Sequence, residues 1–357
     1  MNNVSNPNII EARRPTKPTT SPPNSFQAIS LVDFTSSTPL YLGQFQGNLY
    51  ENGSNDVPLD YDIYGQSVTN SITPLDSGGN PSTNGKIVLI SIGMSNTAME
   101  WCGDGQSCTS VASDNNSFMA KAAADSAVNH TTLKILNGAM GGMSAETWVC
   151  ATGSCEIQTN QYDKVKDNVL TPAGMTEAQV QVIWAKVADK KDLTYSLPDS
   201  RADAYRLEAN QGSMLRAMKT RYPNLKIVVF SSRIYGGYAG TATQGVTSSK
   251  PMEPYAYESN FATKWVIQAK IDQWRNGMVD PQVGDLSSIP FVVWDTDTYL
   301  WGNSNANPMG SQALSWVSTD YNDDKIHPNS MGINKVASRL LTYFKTSPYT
   351  SSWFLSH

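Results

Sequence analysis

The chain has 357 residues, 39% of them hydrophobic and 16% charged, and a formal net charge of −5. Lys and Arg are scattered and form no basic face, so nucleic acid is not an expected partner. The longest apolar runs, Ile87 to Ile92 and Ile289 to Trp294, are too short to span a bilayer. What remains is a globular protein with extensive polar loops, a composition common among exported proteins.

The first part of the chain has a low content of apolar residues. Residues 1–27 are rich in Asn, Pro, Thr and Ser, which predicts a flexible tail because such a segment buries little apolar surface. Residues 28–85 are turn-rich with scattered aromatic residues, and we expect an irregular extension packed on a main domain of residues 86–357. No signal peptide is present at Met1; we expect that one has been removed from a secreted or periplasmic protein.

From Lys86 onward, short apolar runs alternate with helix-like segments. Strands are predicted at Lys86–Ile92, Thr132–Leu136, Val180–Trp184, Lys226–Ser231 and Phe291–Trp294. Helices are predicted at Ser117–Ala127, Asp203–Arg221, Glu258–Arg275 and Ser330–Phe344. This alternation indicates a three-layer α/β fold with a mainly parallel, five-stranded sheet between helices. In such sheets, functional residues collect beyond the carboxyl ends of the strands.

The four cysteines form two pairs that are close in sequence. Cys102 and Cys108 enclose a Gly-containing loop, and so do Cys150 and Cys155. We expect two local disulfides, which imply an oxidising compartment. Zinc is the alternative, although these spacings differ from the usual CxxC.

Histidine is the rarest candidate for acid–base chemistry. His357 is the last residue, and His130 precedes a predicted strand in a turn-like stretch. His327 lies just before the last predicted helix, with Asp324 three residues earlier. That spacing can place a carboxylate beside the imidazole and fix its tautomer, although an isolated surface histidine is the simpler interpretation of this motif alone.

A nucleophile candidate follows the first main strand. Ser95 comes directly after this strand, and Gly93 permits the tight turn that exposes its hydroxyl. Ser91 is a rival, but it lies within the strand. After the next strand, Gly141 and Gly142 allow close backbone approach, and their N–H groups can face a developing oxyanion. An ordinary serine and a plain glycine turn are the alternatives.

Together these motifs resemble the SGNH (GDSL-like) hydrolases, a superfamily of serine esterases with a flavodoxin-like fold. That family carries G-D-S after its first strand, N-x-G-x-x-G-x-T after the next, and D-x-x-H-P before the last helix. The corresponding residues here are Gly93-Met94-Ser95, then Asn137, Gly142 and Ser144, then Asp324, His327 and Pro328. The resemblance spans roughly residues 86–345.

The resemblance implies a role for each motif. Ser95 would be the nucleophile, His327 the base and Asp324 the residue that orients it. The backbone N–H groups of Ser95 and Gly142 would bind the oxyanion. No cofactor and no metal would be required.

Two positions depart from the family. Met94 stands where the family usually has Asp, and the third block, normally G-x-N-D, has no Asn to donate to the oxyanion. Depending on register, Ala188 or Asp189 occupies that place. We expect Lys186 to replace the missing donor, with Asn96 as second choice; for Lys186 a salt-bridged or solvated side chain is the alternative.

Substrate-binding residues are expected where aromatic and basic residues follow strands, at Trp148, Arg233, Tyr235 and Trp301. Tyr and Trp with polar neighbours suit stacking on sugar rings, and ordinary packing is the alternative for them. By analogy with the family it resembles, the chain is expected to be a serine esterase that acts on short acyl esters, chiefly acetyl groups on a carbohydrate. A short-chain lipid or aryl esterase is the alternative within the class. A non-catalytic carbohydrate-binding protein on a decayed hydrolase scaffold is the alternative outside it, because of the missing Asn.

Overall fold

The structure is a computed structural model that describes residues 29–106, 108–153, 160–189, 194–239, 252–295 and 316–356. A five-stranded parallel sheet forms its centre. Its strands are β3 (Ile87–Gly93), β4 (Leu133–Asn137), β5 (Val180–Lys186), β6 (Ile227–Phe230) and β7 (Phe291–Trp294). Their order across the sheet is β4-β3-β5-β6-β7, the flavodoxin-like order. The predicted fold class is confirmed.

Helices surround the sheet. They are α1 (Leu59–Thr69), α2 (Ser95–Cys102), α3 (Phe118–Ala124), α4 (Gln161–Val165), α5 (Asp203–Arg221), α6 (Tyr255–Asn276), α7 (Ser330–Thr346) and α8 (Ser351–Phe354). Helix α5 packs along α6, while α2 and α3 pack against α7, so the helices form two groups. Strands β3, β5, β6 and β7 are buried at every residue, as expected for strands covered on both faces.

The strand order of the sheet places a topological switch point beside β3. The chain leaves β3 for β4 on one side and returns to β5 on the other. At such a point the loops on the two sides diverge and leave a crevice at the carboxyl edge. Helix α2, which begins at Ser95, starts at this edge.

Aromatic packing fixes α2 on the sheet. The Trp101 ring stacks on Trp184 of β5 at 5.1 Å and lies 4.3 Å from the Phe118 ring. The Trp101 indole N–H donates to the Leu136 carbonyl at 3.0 Å. A fully buried tryptophan of this kind contributes on the order of 3–5 kcal/mol, which is the typical cost of its truncation to alanine. The helix that carries Ser95 is therefore a rigid part of the core.

The segment before residue 86 packs on the main domain and is more regular than expected. A short hairpin, β1 (Leu40–Tyr41) and β2 (Phe45–Gln46), places Tyr41 on the Phe261 ring at 5.4 Å. Helix α1 turns Gly65 toward the sheet, where a Cβ would lie 2.2 Å from Phe291. The sequence pattern does not indicate this helix, because its buried residues include Gly65 and Thr69 while Leu59 and Ile63 are exposed. It shows no apolar stripe.

One of the two predicted disulfides lies between described residues. Cys102 and Cys108 are joined by a disulfide, as predicted. Cys150 is also disulfide-bonded, and Cys155 lies outside the described residues. The predicted tail of residues 1–27 lies outside them as well. Among the helices that the structure describes, none has the length and apolarity needed to cross a membrane.

Candidate active site

Ser95 stands at the junction of β3 and α2. Met94 has extended backbone angles and caps the helix, so Ser95 is its first residue. A Cβ at Gly93 would lie 2.2 Å from the Lys186 carbonyl oxygen and 2.4 Å from Thr97 Oγ1. Only glycine fits this close approach between the turn and β5. The tight turn expected from the sequence is therefore present.

His327 lies in a well-fixed loop before α7. The Asn322 N–H donates to the His327 carbonyl at 2.8 Å, and the Asn329 N–H donates to the Asp320 carbonyl at 2.9 Å. The Asn329 side chain accepts from the N–H groups of Met331 and Gly332, so it caps α7. The cap fixes the start of the helix directly after the histidine.

Ser95, His327 and Asp324 form a continuous chain of contacts. Ser95 Oγ lies 2.7 Å from His327 Nε2, and His327 Nδ1 lies 2.5 Å from Asp324 Oδ2. A proton on Nδ1 is directed at the carboxylate, which leaves Nε2 free to accept the serine proton. The imidazole is 32% exposed, so a substrate can reach it. This geometry suits a general base beside an alcohol nucleophile.

Asp324 is held ionised by its own loop. Its second carboxylate oxygen, Oδ1, accepts the backbone N–H groups of Ile326 and His327, each at 3.0 Å. Partial burial acts to raise the pKa of Asp324, but these hydrogen bonds and the one from the His327 ring outweigh it and lower the pKa below its ordinary value. The carboxylate is thus available to stabilise a protonated His327.

Two groups of backbone N–H donors are candidates for binding an oxyanion. The first N–H groups of α2 have no acceptor within the helix and carry its positive dipole end. In the glycine pair, the Gly141 N–H is taken by the Gly105 carbonyl at 2.6 Å. Gly142 has φ +79°, and its N–H donates to no residue of the described part of the chain. Of the two glycines, Gly142 is the one with a free donor.

The two side chains expected to complete the oxyanion hole are engaged elsewhere. The Lys186 ammonium is buried and donates to both Glu100 carboxylate oxygens, at 2.8 and 2.7 Å. The Asn96 amide donates to the Ile326 carbonyl at 3.2 Å. Lys186 is therefore salt-bridged, which was the alternative to a role in the oxyanion hole. Asn96 links the helix that carries Ser95 to the loop that carries His327. Neither contact was visible in the sequence, because each joins segments distant in the chain.

The place of the third-block Asn is also filled by residues that do not donate. Ala188 has no polar side chain, and its carbonyl accepts the Ala145 N–H at 3.0 Å. Asp189 accepts from Arg206 at 2.8 Å and from Asn210 at 2.9 Å. Burial raises the pKa of Asp189 to about 7, against the effect of the Arg206 hydrogen bond. The side-chain oxyanion donor is therefore missing from this position.

The predicted substrate-binding residues fall into three groups. Trp148 is fully buried, packs edge-on against Tyr162 and donates to the Met143 carbonyl at 3.1 Å, so it follows the packing alternative and offers no face to a sugar. Arg233 and Tyr235 follow β6 at the carboxyl edge. Trp301 lies outside the described residues. Within the described ranges, no group of three or more His, Cys, Asp or Glu side chains is placed to hold a metal ion.

No protein-family model matches the sequence, and no curated protein matches it. Solved structures align with it at low identity. A salicylyl-acyltransferase from a tetracycline biosynthetic pathway is 14% identical with a TM-score of 0.36; the alignment covers 76% of this chain but only 58% of that protein. A mutant acetyl-xylooligosaccharide esterase from Geobacillus is 14% identical with a TM-score of 0.39, covering 73% and 96%. An extracellular lipase from Streptomyces rimosus is 14% identical with a TM-score of 0.33, covering 71% and 98%. Similarities of this size transfer no residue role or substrate to this chain.

Proposed function

We propose that the protein is a serine esterase with Ser95 as nucleophile, His327 as base and Asp324 as the orienting acid. The observation that carries the proposal is the unbroken contact from Ser95 Oγ through the imidazole to the Asp324 carboxylate. It lies at the carboxyl edge of a parallel sheet, beside the switch point.

The reaction is acyl transfer in two halves. Ser95 Oγ attacks the ester carbonyl carbon while His327 Nε2 takes its proton, and Asp324 stabilises the imidazolium. The carbonyl oxygen becomes an oxyanion that accepts the N–H groups of Ser95 and Gly142. His327 then gives its proton to the leaving alcohol, and an acyl-serine remains. Water, deprotonated by His327, attacks this ester and releases the acid with Ser95 restored.

We assign the substrate to short acyl esters, chiefly acetyl groups carried by a carbohydrate. Tyr235 and Tyr238 meet edge to face at 5.3 Å beyond β6, and both rings are partly accessible. The Tyr321 hydroxyl donates to the Tyr235 carbonyl at 2.5 Å, which connects these tyrosines to the segment before His327. Rings with polar tips suit stacking on sugars. A short-chain lipid or aryl ester is the alternative substrate.

Arg233 supports a polar substrate. The residue is 8% exposed, and its guanidinium donates no hydrogen bond to any described residue. Burial lowers the pKa of Arg233, and the nearby carboxylates of Glu253 and Asp203 act against this, so the side chain is a buried cation whose N–H groups can donate to a ligand oxygen. We therefore assign Arg233 to the recognition of a carbonyl or hydroxyl oxygen of the substrate.

A non-catalytic carbohydrate-binding protein is the second candidate, and one observation favours it. Neither Ala188 nor Asp189 supplies the third-block donor, and removal of one such donor typically costs on the order of 100- to 1,000-fold in kcat. The preserved geometry of Ser95 and His327 counts against it, because a binding protein needs no activated nucleophile.

Hydrolysis of p-nitrophenyl acetate and butyrate by the wild type and by Ser95→Ala tests the proposal. We expect activity in the wild type, loss in Ser95→Ala and no change in Ser71→Ala, a control at an exposed serine after α1. Equal activity in wild type and Ser95→Ala would remove the nucleophile. An inactive wild type that binds acetylated xylan would establish the second candidate instead.

A further inference from the structure

The loop closed by the Cys102–Cys108 disulfide lies directly against the nucleophile. A Cβ at Gly105 would be 3.5 Å from Ser95 Cβ, which is van der Waals contact. The Gly105 carbonyl accepts the Gly141 N–H at 2.6 Å. The loop therefore bridges the serine and the glycine pair, the two sides between which an oxyanion would form.

The next residue, Gln106, brings a side-chain amide to the same place. A Cβ at Gly141 would lie 2.0 Å from Gln106 Nε2, so the amide rests on the backbone of Gly141. Among the described residues, the Gln106 side chain has no hydrogen-bond partner, and it is exposed. Its NH₂ group has two donors, and a neutral amide is the chemical group that positions 188 and 189 lack.

We propose that Gln106 supplies the side-chain donor of the oxyanion hole, in place of the asparagine missing at position 188 or 189. This inference rests on the proposed esterase function. The amide enters from the disulfide loop rather than from the end of β5. It joins the N–H groups of Ser95 and Gly142, so that three neutral donors surround the developing negative charge.

A hydrogen bond and the disulfide fix the backbone that carries Gln106. The Gln106 N–H donates to Asp104 Oδ1 at 2.9 Å, and Gly103 ends α2 in a left-handed conformation with φ +102°. Cys102 belongs to the same helix as Ser95, so the disulfide fixes both ends of the loop relative to the nucleophile. Donors fixed before the reaction stabilise a transition state more than mobile ones do.

Gln106→Met and Gln106→Glu test the inference. Methionine keeps the length without a donor, and glutamate adds an acceptor that repels the oxyanion. We expect kcat to fall about 100-fold in Gln106→Met with KM unchanged, and further in Gln106→Glu. Gln66→Met, at an amide on α1 that contacts Asp62, is the matched control and should behave as wild type.

Affinity for an alkyl boronic acid, which forms a tetrahedral adduct with an active serine, separates catalysis from loop structure. In Gln106→Met it should weaken by the same factor as kcat/KM, because both measure binding of the tetrahedral state. A lower kcat with unchanged boronic acid affinity would overturn the inference, and so would wild-type kcat in Gln106→Met. If Ser95→Ala is inactive and Gln106→Met is not impaired, this inference alone fails. If Ser95→Ala matches the wild type, the proposed function fails, and the inference fails with it.

Discussion

The buried pair of Lys186 and Glu100 offers a sharp test of how the site is supported. Lys186 Nζ lies 2.7 Å from Glu100 Oε2, and both side chains are almost fully buried. At this distance the attraction is about 6 kcal/mol for an effective dielectric constant of about 20. Replacing only the lysine leaves a buried carboxylate without its partner, and such changes typically cost about 3–5 kcal/mol.

We therefore expect Lys186→Met to lose about 3–5 kcal/mol of unfolding free energy. The double variant Glu100→Met/Lys186→Met should recover most of that loss, since apolar side chains of similar volume replace a buried pair at little cost. Urea titration followed by tryptophan fluorescence measures both. Burial already raises the pKa of Glu100, and Lys186 acts to lower it. Without Lys186 the carboxyl protonates more readily, so the destabilisation should shrink as pH falls toward 4.5.

The activity of the same variants distinguishes a structural role of Lys186 from a catalytic one. If Lys186 only neutralises Glu100, folded Lys186→Met assayed well below its melting temperature keeps the wild-type kcat. A stable Lys186→Met with a 100-fold lower kcat would return the lysine to the oxyanion hole and refute our interpretation. Equal stability of single and double variants would refute the energetic argument.

Two further predictions concern Asp324 and Lys264. Asp324→Asn keeps the loop shape but places a neutral group beside His327 Nδ1, so kcat should fall roughly 10,000-fold while ester binding persists; steady-state kinetics that show a loss below tenfold would contradict the triad. Lys264 is buried, its ammonium donates to the carbonyls of Gln46 and Gly47, and burial lowers its pKa from 10.5 to about 7. Between these values the unfolded chain binds more protons, so stability should rise with pH by up to about 1.4 kcal/mol per unit. Chemical denaturation from pH 7 to 10 should show a smaller rise in Lys264→Met, and an identical slope would contradict the assignment.

The sheet could be predicted because the strands of a buried parallel sheet have short, nearly continuous apolar sequences. Val180–Trp184 was predicted and Val180–Lys186 is present; Phe291–Trp294 agrees at both ends. Helix α5 also matches, since its apolar period and its acidic start are both visible in the sequence. Helix α1 was not predicted because it packs Gly65 against Phe291. A helix that buries its backbone in this way has no periodic pattern of apolar side chains in its sequence.

Some residues of the candidate site could likewise be predicted from the sequence, and others could not. Motifs that are local in sequence brought out Ser95, Asp324 and His327, and the structure places the three side chains in contact. The position of the Lys186 ammonium depends on Glu100, 86 residues earlier in the chain, and no local pattern indicates that pairing. Trp148 was misjudged for a related reason, because aromatic residues after a strand serve packing and ligand stacking alike.

Asn96 shows how the two halves of the site are kept in register. The nucleophile and its base lie on segments 232 residues apart, so their 2.7 Å contact depends on tertiary structure alone. The Asn96 amide donates to the Ile326 carbonyl, one residue before His327, and Asn96 itself follows Ser95. Its own Oδ1 is buried without a partner among the described residues, which is unfavourable for stability. A buried polar group left partly unsatisfied next to the nucleophile is what a site selected for geometry, rather than for stability, would contain.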